Sequence, residues 1–388
     1  MHASKQDSRK LPALNSATGF ATTVLATGLI ASTVLPAAPA FADDWTQFRG
    51  GGEQHGVAAS VLPERLKPVW LFEIEDGVEA TAAIWEGTVF VAGLDGVLYA
   101  LGLDDGKLRW KYEGGEEVKS SPLVANGTVF FGDEYGKFHA VDAKTGEGKW
   151  VLETDAAISG SANIAGDRIF FGSYDNSLYA VSPKDGSKLW SVETQGYVHG
   201  APAIAEGRVI SSGCDGFLRF LDTQSGETVE SVELGSYTAA SAAVLDGKVF
   251  VGTFDGQVLA IDMASAELAW EYKPLDREFP FYASAAVTSE RVIAAGRDKR
   301  VHGLDPKTGE EVWKLALPAR IDASPVISGD RVFIADKAGQ LLALALSDGK
   351  ESWRFESGDA FSASPAIADG RLIISTEGGT VYSFAGAN

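Results

Sequence analysis

Short runs of alternating apolar and polar residues, broken by glycine-containing turns, fill the chain from Pro68 onwards. Residues 120–153 show the grammar in one stretch: Ser-Ser-Pro-Leu-Val, a turn at Asn126-Gly127, Val-Phe-Phe, a turn ending at Gly136, Lys-Phe-His-Ala-Val-Asp, a turn at Lys144-Thr145-Gly146, then Lys149-Trp150-Val151. Alternation with a period of two puts successive side chains on opposite faces, so each run predicts a strand with one face buried. Asn-Gly and Asp-Gly breaks supply the positive φ angles that two-residue hairpin turns demand. Helical periodicity is absent from this part of the chain. The expected unit is a meander of four antiparallel strands.

That unit recurs. Trp70, Trp110, Trp150 and Trp190 stand 40 residues apart, Glu230 takes the next place, and Trp270, Trp313 and Trp353 resume the series with one step of 43. A four-stranded unit of about 40 residues repeated around an axis is a propeller blade. Seven complete units begin near Val78, Val118, Ile158, Val198, Thr238, Phe281 and Ile321, and an eighth starts at Phe361 but ends after three strands at Phe384. Pro68-Val69-Trp70-Leu71-Phe72 has the fourth-strand pattern and precedes the first unit. Pairing it with the last unit closes the ring and removes an open sheet edge. The prediction is an all-β, eight-bladed β-propeller of four-stranded antiparallel blades over 67–388, preceded by a lead-in at 43–66. One indole per outer strand would wedge between neighbouring blades, burying roughly 150–250 Å².

Composition narrows the function. Of 388 residues, 53 are acidic and 33 basic, a formal charge of −20, with no basic run; nucleic acid is excluded as a partner. The single cysteine, Cys214, rules out an intramolecular disulfide and a Cys-rich zinc site, and reads as a small buried apolar residue. Residues 1–42 read as an export signal: Lys5, Arg9 and Lys10, an uncharged stretch from Gly19 to Leu35, and an Ala40-x-Ala42 ending. Cleavage would leave Asp43 first and a net charge of −22 once Lys5, Arg9, Lys10 and Asp7 are gone. The expected location is periplasmic or secreted, the competing reading being a retained anchor. No cysteine follows the stretch to accept a lipid.

The recurring Ser-x-Pro, Val-Phe, Gly-x-x-Asp-Gly-x-Leu-Tyr-Ala-Leu-Asp, Thr-Gly and Trp elements, clearest at Asp175–Trp190 and Asp322–Trp353, resemble the pyrroloquinoline quinone (PQQ) repeat over 68–388. The opening Trp45-Thr46-Gln47-Phe48-Arg49-Gly50 is similar to the lead-in of PQQ-like propellers of bacterial envelopes. The resemblance implies one of two classes. Quinoprotein dehydrogenases hold PQQ with calcium, carry adjacent cysteines beside it, and elaborate their loops. BamB-like propellers bind partner proteins without catalysis. This chain has no cysteine pair, and its period lengthens only within Lys273–Pro280, so the expectation is a BamB-like scaffold for envelope or periplasmic proteins, monomeric and without cofactor. A PQQ-dependent oxidoreductase and a glycan-binding or glycan-cleaving propeller are the alternatives.

Candidate contact positions follow from the register. Read as the first residues of the inner strands, Glu79, Lys119, Ser159, His199, Ala239, Tyr282, Asp322 and Ser362 should circle the channel mouth. They vary from acid to base to aromatic beside constant neighbours such as Ala323-Ser324-Pro325. Variation at one register fits a site grafted on a symmetric scaffold, and equally a solvated channel. Arg277 and Phe279, in the one lengthened loop, are partner-contact candidates, whereas Phe281 aligns with Val118 and Ile321 as core. Asp95, Asp175, Asp215, Asp255 and Asp298 sit where hairpin turns want Asp-Gly, although a rim of carboxylates also suits calcium. The five histidines lack metal spacing, and no nucleophile elbow, phosphate loop or dinucleotide fingerprint occurs.

Overall fold

Eight blades of four antiparallel strands follow one another along the chain, as the repeat predicts, and the seventh gains a fifth, parallel strand from the lead-in. The structure is a computed structural model that describes residues 43–275 and 278–387. The expected export signal and Arg277 lie outside the described residues. Blade one comprises Ala83–Trp85, Thr88–Ala92, Val97–Gly102 and Leu108–Glu113. The inner strands of blades two to eight begin at Leu123, Asn163, Ala203, Ala243, Ala286, Val326 and Ala366. Blade eight is completed by Leu66–Glu73, which runs antiparallel to Thr380–Gly386 from the pair Leu66↔Gly386 to the pair Glu73↔Thr380. Among the described residues no helix is long and apolar enough to cross a membrane.

Strand position explains strand composition. The second strand of each blade is covered by a neighbouring blade on both faces, so it is continuously apolar, as at Val129-Phe130-Phe131. The outer strand faces solvent on one side and alternates, as Lys188–Glu193 does. Across blades, Phe138 and Phe171 stack with centroids 4.2 Å apart. Phe281 is 2% exposed and belongs to the core, like Val118 and Ile321.

The tryptophans are wedges with a defined seat. Each indole N–H donates to a main-chain carbonyl of the next blade: Trp70 to Leu103 (2.8 Å), Trp110 to Ala143 (3.2 Å), Trp190 to Thr223 (3.2 Å) and Trp313 to Leu346 (3.0 Å). Trp353 donates to Leu66 (3.0 Å) and so seals the ring closure. A register shift beside the tryptophan turns each ring toward its neighbour, for example at Ala180/Val181. The ring lies on the glycine of the next outer turn. A Cβ on Gly226 would stand 2.6 Å from the Trp190 ring. Where Glu230 replaces the tryptophan, the corresponding turn residue is Ala266, held at φ 56°. Without an indole above it, the turn tolerates a methyl group.

Candidate functional site

The lead-in segment closes one end of the axial channel. Inner strands present N–H groups along an edge that no blade strand covers. The chain from Trp45 to Gly56 supplies the acceptors. Ile84 donates to the Trp45 carbonyl (2.8 Å), Val124 to Thr46 (2.7 Å), Ile204 to Gly52 (2.8 Å), Val244 to Glu53 (2.8 Å), Val287 to His55 (2.9 Å) and Ile327 to Gly56 (2.8 Å). Blade three reaches Gly52 through the Asn163 amide (2.8 Å), and blade eight donates from Asp369 N–H to the Asp43 carboxylate (2.7 Å). Every blade is therefore tied to one segment. Val57–Ala58 then leaves the axis as a strand parallel to Val326–Ser328.

Turning inside so narrow a space requires left-handed backbone at Arg49 (φ 64°), Gly50 (φ 79°), Gln54 (φ 60°) and Gly56 (φ 67°). A Cβ on Gly50 would meet the Trp45 ring at 2.6 Å, and one on Gly56 would meet the Arg49 guanidinium at 2.1 Å. Arg49 is 1% exposed and has no carboxylate partner among the described residues. Its guanidinium donates to the carbonyls of Pro325 (2.6 Å) and Ala285 (2.5 Å). Burial lowers its pKa to about 9, which still leaves it charged at neutral pH. Phe48 faces the other way and forms the floor of a pit of about 550 Å³ that opens at the opposite end.

A belt of hydroxyl groups circles the pit wall. The main-chain N–H of Thr81 donates to the hydroxyl of Ser121 (3.0 Å), Ser121 to Ser161 (2.9 Å), Ala201 to Ser241 (2.8 Å), Ser241 to Ser284 (2.9 Å), Ser284 to Ser324 (3.0 Å), Ser324 to Ser364 (2.9 Å) and Ser364 to Thr81 (3.0 Å). Each link joins one blade to the next. The step from Ser161 to Ala201 is missing because alanine offers no acceptor. The recurring serine directly before the proline, as in Ser324-Pro325 and Ser364-Pro365, thus makes an inter-blade bond and does more than pack as a small residue.

All eight predicted ring positions line this one pit: Glu79, Lys119, Ser159, His199, Ala239, Tyr282, Asp322 and Ser362. They are not the first residues of the inner strands, as expected. Glu79 precedes Ala83–Trp85, and Asp322 precedes Val326–Ser328, in extended segments that cross from one blade to the next. The reason is that the backbone here bonds to neighbouring blades, as Ile158 N–H does to the Asp133 carbonyl (2.9 Å), before its own ladder begins.

A second ring escaped the sequence reading. It occupies the turn between second and third strands and contains Leu94, Glu134, Tyr174, Cys214, Phe254, Arg297, Lys337 and Glu377. Four upper residues reach the lower residue of the following blade, 25 positions on. Ser159 donates to Glu134 (2.6 Å), Tyr174 meets His199 Nδ1 (2.6 Å), Arg297 donates to Asp322 (2.7 and 3.3 Å), and Lys337 donates to Ser362. The forty-residue step from Glu134 was the available signal, one place before the turn aspartates.

The mouth has two unlike arcs. From blade three to blade six it is aromatic: Tyr174 stacks on Tyr197 at 4.7 Å, and the phenols of Tyr174 and Tyr282 both end on His199 (2.6 and 3.2 Å). A neutral imidazole has one donor and one acceptor nitrogen, which two phenols match. Burial pushes the His199 pKa down, and pushes that of Tyr174 up to about 12. From blade six round to blade two the mouth is charged. Arg297 lies 4.3 Å over the Tyr282 ring and pairs with Asp322, which also receives Arg320 (3.2 Å) and Lys337 (3.8 Å). Lys337 binds Glu377 as well, and Lys119 binds Glu134 (3.4 Å). Burial raises the Glu377 pKa, but the bonds from Lys337 and Ser362 outweigh it and hold the carboxyl below its ordinary range.

The turn aspartates are turn residues. Asp95 accepts from Val97 N–H (3.1 Å) and the Tyr99 hydroxyl (2.5 Å), and Asp175 does the same with Ser177 (3.0 Å) and Tyr179 (2.6 Å). Asp215 and Asp298 hold Arg219 (2.6 Å) and His302 (3.0 Å). Asp175 and Asp215 also accept from the main-chain N–H groups of Asp155 (3.4 Å) and Gln195 (3.1 Å), so these carboxylates are taken up by donors around the turn. Among the described residues no three His, Cys, Asp or Glu side chains converge as metal ligands, and the pit carboxylates Glu134, Asp322 and Glu377 are engaged by cations. This donor set does not fit a calcium-bound quinone. Cys214 is half-buried, its thiol pKa raised by burial and then by Asp215.

Large side chains stand exposed on the same rim: Tyr135 (71%), Tyr197 (51%), Tyr237 (61%), Leu275 (104%) and Phe279 (48%). The Tyr197 and Tyr237 carbonyls accept from Cys214 and Phe254, which fixes both residues beside the second ring.

Comparison with known proteins agrees with this geometry. The family described as outer membrane protein assembly factor BamB matches residues 55–190, 153–295 and 297–388. BamB from Moraxella catarrhalis is similar in structure, with a TM-score of 0.72 and 20% identity over 84% of this chain and 98% of that one. The quinohemoprotein alcohol dehydrogenase of Comamonas testosteroni gives a TM-score of 0.76 at 13% identity, over 89% and 81%. The computationally designed Ika8 protein gives 0.70 at 17%, over 81% and 97%. At these identities the structural likeness speaks for the fold alone. No curated protein matches the chain in sequence.

Proposed function

The chain belongs to the family of the outer membrane protein assembly factor BamB, and from that premise we propose that it is a non-catalytic extracytoplasmic scaffold that binds envelope proteins through its mouth rim. The observation that carries this reading is the exposure of Tyr135, Tyr197, Tyr237, Leu275 and Phe279 along one arc. Aromatic side chains on a rigid rim are favoured anchors of protein interfaces. The strong negative charge favours partners with basic surfaces.

The test is capture from envelope extracts with the native chain and with a Tyr197→Ser/Tyr237→Ser/Phe279→Ser variant. The native chain should retain a defined set of envelope proteins that the variant loses at an unchanged melting temperature. Equal retention would remove the rim from the account. Titration with PQQ and calcium addresses the oxidoreductase reading. Saturable quenching of tryptophan fluorescence accompanied by dye-linked alcohol oxidation would replace the scaffold with an enzyme.

A further inference from the structure

Separately from the rim, we infer that the pit beneath it is a binding site for a neutral saccharide. The pit is blind, because Phe48 and the lead-in close its floor, and its volume of about 550 Å³ falls within the range of ligand sites. Its wall is unusually rich in unspent donors. Each of the seven belt hydroxyls accepts a main-chain N–H, and among the described residues none donates to another protein group. A hydroxyl keeps its O–H for a further acceptor. A ligand that presents several oxygens at once satisfies such a wall.

Charge decides between classes of ligand. The lining holds four carboxylates (Glu79, Glu134, Asp322, Glu377) and four cations (Lys119, Arg297, Arg320, Lys337). Bringing an ionic ligand into this balanced array leaves a charge without a counterion or breaks an existing pair, and either is costly in a partly desolvated site. A polyol does neither. Carboxylates and guanidinium groups fixed by mutual pairing still carry free lone pairs and N–H groups at which sugar hydroxyls can bond. Beside them, the Tyr174, His199 and Tyr282 rings give the apolar C–H face of a pyranose a surface to cover.

The experiment is calorimetry and saturation-transfer NMR on the full chain with glucose, maltose and N-acetylglucosamine, and with glucosamine and glucuronate as charged analogues. At least one neutral sugar should bind saturably, with both charged analogues weaker by about tenfold or more. Ala239→Trp fills the pit from the one ring position without a polar group and should lower that affinity about tenfold or more at an unchanged melting temperature. Glu79→Gln alters an exposed lining residue without disturbing an ion pair; it should weaken binding several-fold and decides the matter should Ala239→Trp fail to fold. Absence of binding by every neutral sugar at tens of millimolar, tighter binding of a charged analogue, or full affinity in the folded variants would each overturn the assignment. None of these outcomes depends on whether the rim binds proteins.

Discussion

The two ends of the axial channel are built from different atoms. At the floor, carbonyls of the lead-in accept from one N–H after another around the ring, and side chains such as Asn163, Asp43 and Arg49 add to these bonds. At the mouth, main-chain bonds such as Ile158 N–H to the Asp133 carbonyl also join the blades, and side-chain bonds that differ from junction to junction are added to them. Glu134–Ser159, Tyr174–His199 and Arg297–Asp322 occupy the same geometric place with unrelated chemistry. Main-chain closure fixes the fold without depending on composition, whereas side-chain closure leaves composition free to vary. The floor therefore depends mostly on the path of the chain, and the mouth depends also on the identity of its side chains.

Arg49 gives this contrast its sharpest test. Arg49→Met keeps much of the volume but leaves the buried carbonyls of Pro325 and Ala285 without their donor, at about 1–3 kcal/mol each. Denaturant unfolding should register a loss of about 2–5 kcal/mol, while Lys119→Ala at the mouth should cost only about 0–1 kcal/mol. Comparable losses at the two positions would erase the distinction between the ends.

The hydroxyl belt lies between them and should respond by about 1 kcal/mol per link. Ser324→Ala removes the acceptor of Ser284 N–H and should destabilise by about that amount. Ala201→Ser supplies the one absent acceptor and should stabilise by about 0.5–1.5 kcal/mol. A shift of opposite sign in either midpoint would show that the belt does not couple blades.

The smallest effect concerns acid. Burial lowers the His199 pKa, so the fold holds the imidazole neutral between Tyr174 and Tyr282, with Glu134 and Lys119 as the nearest charges acting on it in opposite directions. Below the ordinary histidine value of about 6.5 the unfolded chain takes up a proton that the folded chain refuses, so this contribution to stability is full above that pH and is lost as pH falls. Melting temperatures between neutral and mildly acidic pH should fall less steeply for His199→Gln than for the native chain. Parallel curves would show that the mouth does not resist protonation.

Much of this molecule was legible in one dimension because its grammar is local. Period-two alternation and hairpin glycines specify strands and turns within segments shorter than one blade, and the recurring forty-residue step counts the blades. The displaced fourth strand announced the closure, and the variable register announced the ring that lines the pit. The seat of the wedge was half legible: Glu230 marks the absent indole, but that Ala266 answers it 36 residues later becomes meaningful only when the turn is seen beneath the ring.

The path of the lead-in was beyond reach of the sequence. Its bonds use carbonyl oxygens that every residue possesses, and its one informative side chain, Arg49, finds partners 236 and 276 positions away. The pairing of upper and lower rings was likewise a matter of tertiary structure, since whether position 134 meets 159 depends on the angle between adjacent blades. Sequence by itself determined how many blades form and in what order, because those follow from local propensity. Only the closed ring decided which atoms face one another across its axis, because it is closure that turns eight similar edges inward upon a single segment.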